Sequence, residues 1–122
     1  MPRVIVALGS NIGDEQLLLR CRQMLEKLLT DTCHTTIIRT SPVGVGGCDF
    51  LNSLTSGQTT LDSMELLSTL KRMERRCGDR RSLRARGQVV MDIDLLQYGE
   101  ERHHLPDWHR DYVQELLKQI ET

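Results

Sequence analysis

Residues 89–98, V-V-M-D-I-D-L-L-Q-Y, set two acids into an otherwise apolar and partly β-branched run. Such a run reads as a β-strand. Strand side chains alternate faces, so Asp92 and Asp94 share one side with Cα atoms about 6.5–7 Å apart, while Met91, Ile93 and Leu95 point into a core. Two carboxylates on one sheet face are costly unless water or positive charge meets them. An edge strand with a solvated acidic face satisfies that condition. So does a cation site, and Mg²⁺ suits it, because this ion takes oxygen ligands and keeps phosphates and waters in its other positions.

The chain upstream supplies a sheet and two helices. Residues 3–8, R-V-I-V-A-L, form a short apolar strand of the doubly buried kind. The turn G-S-N-I-G-D at 9–14 follows, and Gly13 or Asp14 can cap a helix to about Leu29 with a stripe of Leu17, Leu18, Cys21, Met24, Leu25 and Leu28. This turn lacks the spacing of a dinucleotide fingerprint and the lysine of a P-loop, so its role is structural. Residues 33–40 read as a second strand and residues 50–60 as a third, with Phe50, Asn52 and Leu54 on one face. The connection at 41–49, with three glycines and one proline, is either a simple connector or a segment moulded by ligand.

A second helix starts at Thr60 or Asp62, with Asp62 and Glu65 at capping-box spacing, and stops at Gly78. A basic run at 79–88 then carries Arg80, Arg81, Arg84 and Arg86 into the acidic strand. Alone it reads as a solvated loop. Arginine forks match phosphate oxygens, however, and arginines beside paired carboxylates are what phosphoryl transfer requires. Four clustered arginines bracketed by Gly78 and Gly87 are expected to be the most mobile part of the ligand-free chain. A last amphipathic helix is expected over 108–120.

The order β-α-β-β-α-β plus a terminal helix predicts an α+β, ferredoxin-like antiparallel sheet with helices on one face. The expected central pair is the first and last strands, with the acidic pair on the face away from the helices or near the rim. At 122 residues a single domain spanning 1–122 is expected. A net charge of −1 and 3% aromatics argue against nucleic acid as a partner. No apolar run suggests a membrane span, and the strand at the N-terminus leaves no room for a signal peptide, so a cytoplasmic monomer is expected. The four cysteines show no C-x-x-C spacing and read as buried thiols, and the four histidines read as surface residues.

Several motifs run in an order that resembles the 6-hydroxymethyl-7,8-dihydropterin pyrophosphokinase family. They are A-L-G-S-N-I-G-D at 7–14, R-T-S-P-V-G at 39–44, D-F-L-N at 49–52, M-E-R-R-C-G-D-R-R at 73–81 and M-D-I-D-L-L at 91–96. The resemblance covers roughly residues 3–106. It implies the ferredoxin-like fold and transfer of pyrophosphate from ATP to the pterin's hydroxymethyl oxygen, with release of AMP. It implies that Asp92 and Asp94 hold two Mg²⁺ ions on the ATP phosphates. Asn52 would meet the pterin edge, Thr40 and Val43 would supply backbone contacts, and Phe50 would stack on the ring with Tyr112 as the second aromatic. Arg81 would be a catalytic phosphate-binding arginine, with Glu74, Arg80, Arg84 and Arg86 also at ATP.

The chain departs from the family pattern at three places. Asp79 stands where an arginine is usual. Arg86, Gln88 and Val89 replace a tryptophan followed by Pro-Arg. Past the last strand, Arg110-Asp111-Tyr112 matches an R-x-F element only across a deletion. Three readings therefore remain: an active shortened enzyme, a catalytically weakened paralogue that binds pterin or nucleotide, and an unrelated ferredoxin-like binding module.

Overall fold

The computed structural model describes residues 1–41 and 48–121. The elements in order are β1 (Arg3–Ser10), α1 (Glu15–Leu28), β2 (Thr30–His34), β3 (Ile38–Thr40), β4 (Phe50–Gln58), α2 (Ser63–Arg76), α3 (Arg81–Arg84), β5 (Asp92–Tyr98), β6 (Glu101–Arg102), α4 (Leu105–Trp108) and α5 (Asp111–Ile120). The strands form one antiparallel sheet in the order β2-β4-β1-β5-β6, with β3 also on β4. This is the expected α+β, split-βαβ architecture. Val43 lies outside the described residues.

Both main helices start where their caps predict. The Asp14 carboxylate accepts the Leu17 N–H, and Asp62 and Glu65 close a reciprocal capping box. Leu18, Cys21 and Leu25 of α1 and Leu66, Leu70 and Met73 of α2 bury one face of the sheet against Val4, Val6, Leu8, Ile93 and Leu95. These two helices share that face, as the periodicity predicts. Val113, Leu116, Leu117 and Ile120 of α5 cover the opposite face with Ile5, Leu54 and Leu96.

Three expectations need correction. The central pair is β1 and β4, not the first and last strands. The connection through α2 carries the chain from β4 past β1, so the acidic strand docks on the far side of it. Beyond β5 lies only the short β6, which pairs at Gln97 and Tyr98. The second strand is broken in two, because buried Thr35 takes the ladder positions of Leu54. Its N–H donates to the Leu54 carbonyl and its hydroxyl accepts the Leu54 N–H, each at 2.9 Å. The last helix starts at Asp111 rather than Trp108, which instead ends α4 with its ring buried and Arg102 stacked 4.2 Å from the ring centre.

The cysteines and histidines also differ from expectation. Cys21 is buried and its sulfur lies 3.0 Å from that of Cys77, but Cys33 and Cys48 are exposed. His34 and His103 are half-buried rather than surface groups. His34 bonds Thr55 and Glu26. No helix among the described residues is long and apolar enough to cross a membrane.

Candidate active site

Asp92 and Asp94 lie on β5 opposite Gly9 and Ala7 of β1. Ile93 and Leu95 between and after them fill the core, so alternation turns both carboxylates outward on one face. A third acid joins them from α2. Oxygens of Glu74, Asp92 and Asp94 all lie within 4.8 Å of one another. Glu74 is buried, and one of its oxygens accepts the Ile93 N–H at 2.7 Å.

The electrostatics are those of crowded anions. Burial, then the hydrogen bond to Asp92 and that neighbour's charge, push the Asp94 carboxyl up to about 8. Burial also raises Glu74. For Asp92 burial acts in the same direction, but the hydrogen bond with Asp94 and the Arg84 guanidinium outweigh it and hold this carboxyl below its usual range. The donors are all carboxylate oxygens, and their mutual repulsion is relieved by positive charge. Mg²⁺ fits such a set.

The acids open into a cleft of about 820 Å³, a size suited to a small organic ligand. Thr40, Phe50, Asn52 and Tyr112 line it together with Asp92 and Asp94. Asn52 is buried, and its amide Nδ2 donates to Thr40 Oγ1 at 2.8 Å and to the Ile38 carbonyl at 3.3 Å. Those bonds fix the amide plane. Burial raises the Tyr112 phenol, so it stays neutral. Phe50 comes from the start of β4 and Tyr112 from the first turn of α5, so the two aromatics enter the cleft from different layers.

The arginines divide unequally. Arg84 donates from Nε to Asp79 Oδ2 at 2.6 Å and from Nη2 to Asp92 Oδ1 at 3.1 Å. Arg80, Arg81 and Arg86 are exposed, and none of the four arginines of this run lines the cleft. The basic segment contains α3, and the Asn11 side chain bonds Gly87 and Val89 at its far end.

Sequence reasoning missed three residues here. Asp79, read only as a missing arginine, is buried and accepts the Val90 and Met91 N–H groups at 3.1 and 3.4 Å. Arg110 lines the cleft beside Tyr112. Its place in R-x-Y was the available signal. His104 brings Nε2 to 3.8 Å from Asp94, and only its distance along the chain from the acidic strand concealed that.

Residues 5–122 match the family model described as 7,8-dihydro-6-hydroxymethylpterin-pyrophosphokinase. The chain is 36% identical over 121 residues to a mitochondrial folate synthesis bifunctional protein of Arabidopsis thaliana, covering 90% of this chain and 22% of that one. It is 35% identical over 100 residues to the 2-amino-4-hydroxy-6-hydroxymethyldihydropteridine pyrophosphokinase of Bacillus subtilis, covering 79% of this chain and 59% of the relative. It is 31% identical over 103 residues to the Aquifex aeolicus protein of the same description, covering 83% and 64%. The chain thus spans between 22% and 64% of the length of these relatives.

Proposed function

Because the chain belongs to the 7,8-dihydro-6-hydroxymethylpterin-pyrophosphokinase family, we propose that it transfers pyrophosphate from ATP to the hydroxymethyl oxygen of 6-hydroxymethyl-7,8-dihydropterin. The observation that carries this reading is a single cleft joining an amide and two aromatics to a carboxylate pair. A flat bicycle stacks between Phe50 and Tyr112 with its polar edge on Asn52. The hydroxymethyl group then points toward the acids. Its oxygen attacks the β-phosphorus and gives up its proton to water, the bond from that phosphorus to the α–β bridging oxygen breaks, and AMP leaves with that oxygen.

Asp92 and Asp94, with Glu74 beside them, supply the oxygens that would hold Mg²⁺. Bound there, the metal neutralises the phosphate charge. The protein's own contribution is positioning. The Asn52 amide, fixed by Thr40, sets the ring's orientation, and Arg84 and Arg110 bring positive charge to the phosphates. A small soluble substrate pair and a cytoplasmic site of action go with this reading, and Val43 and Arg81 keep the backbone and phosphate roles the family pattern implies.

The test is AMP formation from ATP, 6-hydroxymethyl-7,8-dihydropterin and Mg²⁺. Turnover that disappears in Asp92→Asn and Asp94→Asn supports the assignment. ATP and pterin binding without AMP formation supports the weakened-paralogue reading. That second reading is favoured by Asp79, which points at backbone amides where the pattern has an arginine.

A further inference from the structure

The Arg84 guanidinium touches more of the acidic site than any other described cation. Nη2 sits 3.1 Å from Asp92 Oδ1 and 3.9 Å from Glu74 Oε2, while Nε holds Asp79 Oδ2 at 2.6 Å. Two of the three clustered carboxylates thus face one positive group. We propose that Arg84 is an internal stand-in for the metal, occupying Asp92 until a divalent cation displaces it, with Asp79 as the anchor that retains it.

The two ends of this contact are built differently. The Asp79 side chain is 8% exposed, and its other oxygen accepts two backbone N–H groups of residues 90 and 91. It cannot follow the arginine. The Arg84 side chain is 36% exposed and Asp92 32%, so the guanidinium can leave that carboxylate toward solvent. Arg84 closes the single turn of α3, between Gly78 and Gly87, both at positive φ. The exchange therefore needs the guanidinium to swing about its Nε contact rather than the turn to move, because Asp79 and the Asn11–Gly87 bond hold the segment at both ends.

The exchange has a chemical consequence. A guanidinium on Asp92 satisfies the carboxylate but blocks the oxygen a metal needs. Metal binding then displaces Nη2 from Asp92 and from the Met91 carbonyl, to which it also donates at 3.4 Å, while the Nε contact to Asp79 persists. The freed Nη groups then face whatever anion arrives with the metal. Metal and nucleotide bind cooperatively, because each removes an obstacle to the other. Asp79 in place of an arginine thus acquires a role: it positions the arginine five residues later. The inference rests on the reading that Asp92 and Asp94 hold a divalent cation.

The test uses the full chain with Mn²⁺ as probe and no nucleotide, read by electron paramagnetic resonance or calorimetry. Wild type is compared with Arg84→Gln and with Arg76→Gln, which removes an exposed charge on α2. Arg84→Gln is expected to bind Mn²⁺ about fivefold to tenfold more tightly, the scale of a partly exposed charge-assisted contact. Arg76→Gln is expected to match wild type. In parallel, the Arg84 guanidinium nitrogens of wild type should show restricted rotation by NMR without metal and fast averaging of the Nη pair with saturating Mg²⁺. Mn²⁺ affinity in Arg84→Gln equal to or weaker than wild type overturns the stand-in, as does an Arg84 NMR signature indifferent to Mg²⁺. If none of the three proteins binds Mn²⁺, the metal reading itself fails and takes this inference with it.

Discussion

Asn52 and Asp92 are paired in register with the same residue, Gly9, from opposite sides of the central strand. Two strand spacings, about 10 Å, therefore separate the amide from the carboxylate. The distance between the ring-binding end of the cleft and its acidic end is set by backbone hydrogen bonding rather than by loops. Gly9 leaves the floor between them open. A Cβ there would meet Asn52 Oδ1 at 3.6 Å and Phe50 Cδ1 at 3.9 Å, ordinary contact distances.

Gly9→Ala is therefore expected to fold with little change in Tm. Gly9→Leu is expected to fill the cleft and abolish pterin binding, measured by calorimetry, while the sheet remains intact by circular dichroism. Pterin binding by the leucine variant at wild-type strength would put the ring elsewhere.

The second prediction concerns pH. The folded Asp94 carboxyl sits at about 8, above its unfolded value. A raised carboxyl contributes stability that is full at low pH and lost as pH climbs from about 4 through about 8. Metal-free protein should thus lose stability across that window. Asp94→Asn should remove part of the loss and raise the metal-free Tm at the alkaline end by about 4 °C. Mg²⁺ should stabilise wild type more at the alkaline end than at the acid end, and thermal melts with and without the ion measure both effects.

Pterin contacts come next. Asn52→Ala should cost about 1–3 kcal/mol of pterin affinity by removing a fixed amide from a buried site. Phe50→Ala and Tyr112→Phe separate stacking from polarity. The first should weaken binding by about 1 kcal/mol or more, and the second should leave stacking in place. Equilibrium titration of each variant decides this.

Asp79 carries a stability prediction distinct from catalysis. Asp79→Ala strips partners from two backbone N–H groups and from Arg84, and should destabilise the fold by about 2–4 kcal/mol. Urea unfolding measures it. Amides of Val90, Met91 and Ile93 should be protected from hydrogen exchange in the ligand-free protein, since acid side chains already hold them.

The elements themselves were legible because apolar spacing and caps agree along α1 and α2. The acidic face of β5 was legible for the same reason, since alternation alone turns Asp92 and Asp94 together. Strand order was misjudged, because β1 pairs with β4 on one edge and β5 on the other, and which strands then lie inside the sheet leaves no mark in composition. The break at Thr35 was invisible, because one hydroxyl replaces a backbone group there. Among the arginines, residue type was readable but reach was not. One turn of α3 decides that Arg84, rather than Arg81, meets the acids. Asp79 was misread because a buried acid that accepts backbone N–H groups looks, in sequence, like any polar loop residue.

The carboxylate of Glu74 on the Ile93 N–H has a consequence for solubility. Beyond the reach of β6, the outer margin of β5 offers backbone groups on which another strand could dock, and exposed sheet margins of this kind seed aggregation. Glu74 occupies that margin with a buried anion, as Asp79 does two and three residues earlier at Met91 and Val90. The groups that shape the acidic site are thus also gatekeepers against strand-to-strand self-association. Light scattering should find Glu74→Ala more prone to aggregate than Asp94→Ala, although both delete a carboxyl from the same cluster.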